Sequence, residues 1–92
     1  EAAAAGVGVT ISTLLDTGVG LTAALRVAAA LGGGVHGLAT ADVLVSDLLA
    51  TPLAVHDGCL AVPAGPGTAL DEAALERYAV ERLATVRYGA AR

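Results

Sequence analysis

Val7-Gly8-Val9-Thr10-Ile11-Ser12-Thr13-Leu14-Leu15-Asp16-Thr17-Gly18-Val19-Gly20-Leu21 decides how this chain is read, because an apolar β-branched run ends in polar residues just before a helical pattern begins. Val7 to Thr13 alternates β-branched residues with Gly8 and Ser12, which predicts a strand packed on both faces, as parallel strands are. From Val19 the spacing turns helical, with Leu21, Leu25 and Ala28 on one face and Ala24 and Leu31 beside them. Thr17 or Gly18 opens this helix, and Gly32-Gly33-Gly34 ends it, since consecutive glycines lose the most backbone entropy in a helix. Arg26 is its one charge, so most of its circumference expects cover. A strand that delivers polar side chains at its C-terminal end and runs into a helix is the unit of a (β/α)-barrel, whose active sites gather at those strand ends.

Outward from this stretch, Glu1 to Ala5 reads as the end of a helix stopped at Gly6, a residue that accepts a left-handed conformation. On the other side, Thr40 can cap a short helix over Ala41 to Leu49, with Asp42 near its positive end and Val45, Leu48, Leu44 and Leu49 as its buried side. Thr51-Pro52 stops it, because the residue before proline is pushed toward extended backbone. Leu53-Ala54-Val55-His56 and Cys59-Leu60-Ala61-Val62 flank Asp57-Gly58, a two-residue hairpin turn. That register pairs Val55 with Leu60 and Leu53 with Val62, placing all four on one packed face. After the loop Pro63 to Gly67, Asp71-Glu72 begin a last helix through Val86, with Leu75, Ala79, Leu83 and Val86 as its stripe and Arg82 and Arg87 toward its negative end. Tyr88 to Arg92 reads as frayed.

Composition argues for a part of something larger. A chain of 92 residues buries only about 60 to 65% of its unfolded surface. It therefore needs large side chains, yet Phe, Trp and Met are absent and Ala, Val and Leu dominate. Burial worth roughly 25 cal/mol per Å² accumulates slowly on alanine against an ordering cost of about 1 to 2 kcal/mol per residue. A start at Glu1 with no methionine suits a segment of a longer reading frame. The net charge of −4, from nine acids and five arginines with no lysine, repels phosphate backbones, and two tyrosines offer no stacking platform. Nucleic acid is excluded as a partner. Arg26, Gly32 to Gly34, Asp42 and Asp47 interrupt the apolar runs before the ~20 residues a bilayer requires, so no membrane partner is expected. The single cysteine, Cys59, cannot close an internal disulfide, which fits a reducing cytoplasm.

The order of these features resembles the muconate-lactonizing subgroup of the enolase superfamily, and most closely its o-succinylbenzoate synthases. The resemblance runs over roughly residues 6 to 85: the strand and helix of the opening stretch, then His36-Gly37-Leu38-Ala39-Thr40, Asp47-Leu48, Pro52-Leu53, Asp57-Gly58, Val62-Pro63 and Gly65-Pro66-Gly67. It implies an α/β fold in which residues 1–34 form the end of a (β/α)-barrel (the close of helix 7, strand 8 and helix 8). Residues 35–92 form a C-terminal segment of short helix, β-hairpin and terminal helix returning to the capping domain. It further implies that small hydroxyl residues at the end of the last strand bind a substrate carboxylate. The candidate substrate-binding residues are then Ser12, Thr13, Leu14 and Asp16. Leu15-Asp16-Thr17 departs from the family's Leu/Ile-Glu-Ser pattern, and one methylene less shortens the reach of Asp16.

The same resemblance implies what this chain does not carry. Such enzymes abstract a proton next to a carboxylate with a pair of lysines on the second and sixth strands, and hold Mg2+ on acids of the third, fourth and fifth. The ion concentrates positive charge where the enediolate develops. No catalytic or metal-ligating residue is therefore assigned here, the chain alone is expected to be inactive, and its expected partners are the rest of the parent enzyme and a small carboxylate substrate. Muconate cycloisomerases, dipeptide epimerases and N-succinylamino acid racemases share the architecture and remain alternatives.

Other readings compete residue by residue. The Ser12 and Thr13 hydroxyls could satisfy nearby backbone, and Asp16 could cap the following helix. His36 and His56 lack a second ligand at metal spacing and read as structural or surface residues. Cys59 and His56 face each other across an exposed turn without a pocket for nucleophilic chemistry. Gly18-Val19-Gly20 lacks the third glycine and the distant acid of a dinucleotide loop. Asp71, Glu72, Glu76 and Glu81 read as a solvated helix face with an Arg77–Glu81 pair. A reading of another class is a small non-catalytic α+β interaction module that docks through Leu53, Val55, Leu60 and Val62.

Overall fold

The computed structural model describes residues 1–32, 34–65, 67–81 and 83–84. Two helices and a two-stranded antiparallel ribbon follow one another: α1 (Gly18–Ala30), β1 (Val55–His56), β2 (Cys59–Leu60) and α2 (Glu72–Tyr78). The content is thus mixed α and β. None of the described helices is long and apolar enough to cross a membrane.

Helix α1 forms where the apolar periodicity sets it and ends at Leu31, followed by Gly32 at φ 90°. It buries Gly18, Leu21, Thr22, Leu25 and Ala28. Leu21, Leu25 and Ala28 join Leu38 in the core, with Ile11, Ala24, Ala41, Leu53 and Leu60 packed against them. Its remaining circumference is not covered: Val19, Val27 and Leu31 stand open to solvent.

The expected strand from Val7 to Thr13 is corrected to a single parallel bridge, Ser12 to Gly37. A strand exists only where a neighbouring backbone takes its hydrogen bonds, and the described residues offer one such neighbour, at the segment's C-terminal end. The Gly37 amide donates to Ile11 O (2.9 Å), and the Thr13 amide donates to Gly37 O (3.1 Å). Earlier in the run, the Val7 amide turns back to Ala2 O at 2.9 Å. Val7 and Val9 are exposed. Upstream, Ala2 to Gly6 forms a turn closed by Gly6 at φ 72°, as a helix end would be. One parallel bridge, with α1 between its two partners in sequence, is thus all the sheet pairing this segment makes among the described residues.

The expected helix over Ala41 to Leu49 shrinks to one 3-10 turn, Ala41–Val43, and Thr40 makes no side-chain cap. Local side-chain bonds to the backbone outcompete the helix here. Ser46 Oγ accepts from the Leu48 amide, and the Asp47 carboxylate accepts from the amides of Leu49 and Leu53, each at 3.1 Å. Leu48 takes φ 64°, which no helix accommodates. Val45, expected on the buried side, is 89% exposed. The segment instead becomes a hub. Asp47 O accepts from the Gly18 amide at 2.7 Å, Leu49 is buried, and a bridge from Leu49 to Leu70 reaches the start of α2.

The hairpin adopts the expected register, Val55 opposite Leu60 and His56 opposite Cys59, around Asp57 and Gly58 at φ 50° and 74°. Its packed face is half formed: Leu53 and Leu60 rest on the core, while Val55 and Val62 are 41% and 46% exposed. The last helix starts where expected, with Asp71 Oδ1 accepting from the Ala74 amide at 3.0 Å. It stops at Tyr78 rather than continuing to Val86, because Ala79 turns extended at ψ 129°. The stripe meant to hold it finds nothing to pack on, since Leu75 is 39% and Leu83 86% exposed, and helices this short depend on tertiary packing. With the helix ended, Arg77 does not sit one turn below Glu81; its guanidinium lies over the Tyr78 ring, 5.4 Å from the centroid. Arg82, Val86, Arg87 and the Tyr88 to Arg92 tail lie outside the described residues.

Candidate functional site

Two stretches separated in sequence by α1 meet at one point. Ile11 donates its amide to His36 Nδ1 at 3.0 Å. Gly37 brackets Ser12 through its bonds to Ile11 O and the Thr13 amide. Thr13 Oγ1 lies 2.7 Å from Thr40 Oγ1. The polar end of the opening stretch is thereby fastened to His36-Gly37-Leu38-Ala39-Thr40 by backbone, imidazole and hydroxyl together. The approach at Gly37 is close: a Cβ there would stand 3.2 Å from Ser12 Oγ, which would have to give by a few tenths of an ångström.

The four candidate residues differ in what they can do. Thr13 is buried, with its amide and hydroxyl both engaged, so its side chain is held in one orientation. Ser12 is exposed, its hydroxyl lying against Gly37. Leu14 is 83% exposed, and neighbouring Leu15 72%. Asp16 is exposed and lies at the N-terminal end of α1; a Cβ on Gly20 would come within 3.3 Å of its own Cβ. Thr17, not Asp16, is the N-cap residue, and it makes no side-chain capping bond. Ser12 and Thr13 thus sit against Gly37 and Thr40, while Asp16 lies by Gly20 of α1, and the hydroxyls are free to meet a ligand only through Ser12 and through whatever proton Thr13 and Thr40 do not share.

His36 and Thr40 were not candidates in the sequence, and no local signal marks them, because their partners lie more than 20 residues away. Accepting at Nδ1 leaves the neutral imidazole proton on Nε2. Among the described residues that Nε2 is buried without a partner, as is Thr22 Oγ1 in α1. His36 is structural in this arrangement: it substitutes for a carbonyl in taking the Ile11 amide.

An apolar concavity lies elsewhere. A cleft of about 430 Å³ runs between α1 and the hairpin, lined by apolar residues including Leu25, Leu38, Val55, Leu60 and Val62, with the free thiol of Cys59 at its edge. Ser12, Thr13, Leu14 and Asp16 do not line it. The Mg2+ implied by the resemblance does not fit the residues present: among the described residues, no three His, Cys, Asp or Glu side chains group closely enough to hold an ion. No protein-family model, curated protein or solved structure matches the chain.

Proposed function

We propose that the chain is the C-terminal part of an enolase-superfamily lyase, similar to o-succinylbenzoate synthase, in which Ser12 and Thr13 hold a substrate carboxylate at the end of the last barrel strand. In this reading residues 1–34 close the barrel and residues 35–92 return to the capping domain. The lysines and magnesium ligands belong to other parts of the parent enzyme, and Leu14 and Asp16 complete the rim of the site.

The observation that carries the proposal is the junction of the strand end with His36 to Thr40. These two stretches bear the resemblance independently in the sequence, and they are joined by four hydrogen bonds. Such a junction gives Thr13 the fixed orientation that carboxylate recognition needs, since a preorganised donor loses little entropy on binding. A second support is the surface. Val7, Val9, Leu14, Leu15, Val19 and Val27, all on or around the proposed last strand and helix, are exposed, which suits neighbours from a barrel.

The test is an assay of the product of the complete reading frame for magnesium-dependent conversion of a cyclohexadiene carboxylate to o-succinylbenzoate. Turnover is expected, with Thr13→Val raising KM about tenfold through loss of one hydrogen bond to a charged group. No turnover on this substrate, with turnover of a muconate, a dipeptide or an N-succinylamino acid, moves the chain within the subgroup; no turnover on any of them refutes the enzyme reading.

The half-open hairpin favours a second reading, the α+β interaction module. Val55 and Val62 are uncovered on the face that borders the 430 Å³ cleft. The two readings separate on the coding sequence before Glu1: a lysine pair and three strand-end acids there support the enzyme, and their absence supports the module.

A further inference from the structure

We infer that Thr40 is a positioning residue that sets the direction in which the Thr13 hydroxyl donates. The inference rests on the reading of Thr13 as a carboxylate-binding residue and names the group that makes it one. The two Oγ1 atoms stand 2.7 Å apart, so one proton lies between them and either hydroxyl can supply it. Thr13 itself cannot move to improve the contact, because it is buried and its amide is tied to Gly37 O.

An ionised carboxylate only accepts hydrogen bonds. Thr13 can serve it only by donating its own proton outward, and the proton between the two threonines must then come from Thr40. The resulting order is Thr40 to Thr13 to carboxylate. Each hydroxyl in such a chain polarises the next, so a Thr13 that accepts from Thr40 is the better donor. Without Thr40 the Thr13 hydroxyl is free to turn to backbone carbonyls nearby, as threonines do when no side-chain partner holds them. Thr40 is available for this task because the segment after it forms only a 3-10 turn and leaves its hydroxyl uncommitted to any cap.

The experiment uses the product of the complete reading frame and o-succinylbenzoate as the calorimetric probe, together with steady-state kinetics. Thr40→Val keeps the shape and removes the oxygen. It is expected to weaken probe binding and raise KM about five- to tenfold with kcat within about twofold, and Thr40→Ser is expected to restore both. The double variant Thr13→Val/Thr40→Val is expected to bind no more weakly than Thr13→Val, since Thr40 acts only through Thr13. If Thr40→Val melts early, Thr40→Ala removes the same oxygen together with the γ-methyl, puts no new methyl where the oxygen stood, and gives the same readout.

Unchanged binding by Thr40→Val alongside weakened binding by Thr13→Val overturns the inference and leaves the site reading standing. Additive losses in the double variant overturn it as well, by showing that Thr40 acts independently of Thr13. Unchanged binding by Thr13→Val, or no binding by the unsubstituted protein, overturns the site reading and the inference with it.

Discussion

At the scale of single residues, a few polar side chains far from the hydrophobic pattern hold the chain's shape. Asp47 is the clearest. Its two carboxylate oxygens take the amides of Leu49 and Leu53, while its own carbonyl takes the Gly18 amide. Removing a charged acceptor from two amides in a half-buried site costs about 2 kcal/mol. Asp47→Ala is therefore expected to lower the denaturant midpoint by that equivalent, and Asp47→Asn by less, because it keeps one acceptor oxygen. An unchanged midpoint would show that water replaces both bonds. Arg26 plays a similar part from α1, donating from one guanidinium nitrogen to the carbonyls of Gly65 and Gly67 at 3.1 and 2.7 Å. These roles were not legible in the sequence. Asp47 reads there as an interruption of an apolar run, and Arg26 as a lone charge on a helix, because each acts on backbone whose position depends on the folded loops. Ser12 and Thr13 were legible only as the polar end of an apolar run; the bonds of Thr13 to Gly37 and Thr40 were not.

At the scale of elements, the hairpin turn and the α1 stripe came out as read, whereas the capped helix over Ala41 to Leu49 and the segments that need a neighbour did not. The Asp57-Gly58 turn fixes its hairpin register by its own dihedrals, and the Leu21, Leu25, Ala28 stripe fixes α1. The Val7 to Thr13 strand and the last helix beyond Tyr78 depend on partners that the described residues do not supply. Two glycines of α1 give opposite predictions from this packing. A Cβ at Gly18 would run into Leu49 Cγ and Cδ1 and lie 2.7 Å from Asp47 O, a backbone atom that cannot swing away. Gly18→Ala is expected to destabilise by about 1 to 3 kcal/mol despite alanine's better helix propensity. At Gly20 the nearest atom is the Cβ of the exposed Asp16, 3.3 Å away, and a shift of a few tenths of an ångström in the exposed segment before α1 relieves the contact. Gly20→Ala is expected to stabilise by about 0.5 to 1 kcal/mol. Thermal melts of the two variants should move in opposite directions; a shared direction would show that the contact between α1 and Leu49 is not tight.

At the scale of the whole molecule, the chain exposes more than a self-sufficient fold of its size. Its accessible surface is 7143 Å², against about 4,800 Å² for a compact monomer of the same mass. Its Cα radius of gyration is 15.7 Å, against about 12 Å for a compact domain of this length. The excess is apolar in character, with Leu14, Leu15, Val35, Val43 and Val45 all at least 70% exposed. The alanine-rich composition already implied a thin core, and the core is thin: Leu21, Leu25, Ala28 and Leu38 form its one cluster among the described residues. The peptide of residues 1–92 made alone is expected to bind a hydrophobic dye, to melt over a broad range without a sharp transition, and to show no dehydration activity. A steep two-state transition without dye binding would mean that these side chains need no further cover.

Under the proposed function, Val7 to Thr13 becomes a strand only when the rest of a parent enzyme supplies its neighbours; in the described residues it makes one bridge, Ser12 to Gly37. Amide hydrogen exchange at Val9 and Thr10, compared between the isolated peptide and the product of the complete reading frame, is the decisive measurement. Exchange at nearly unstructured rates is expected in the peptide, where the described backbone gives these residues no strand partner, and strong protection in the longer product. Equal protection in the two, whether fast or slow, would contradict this reading.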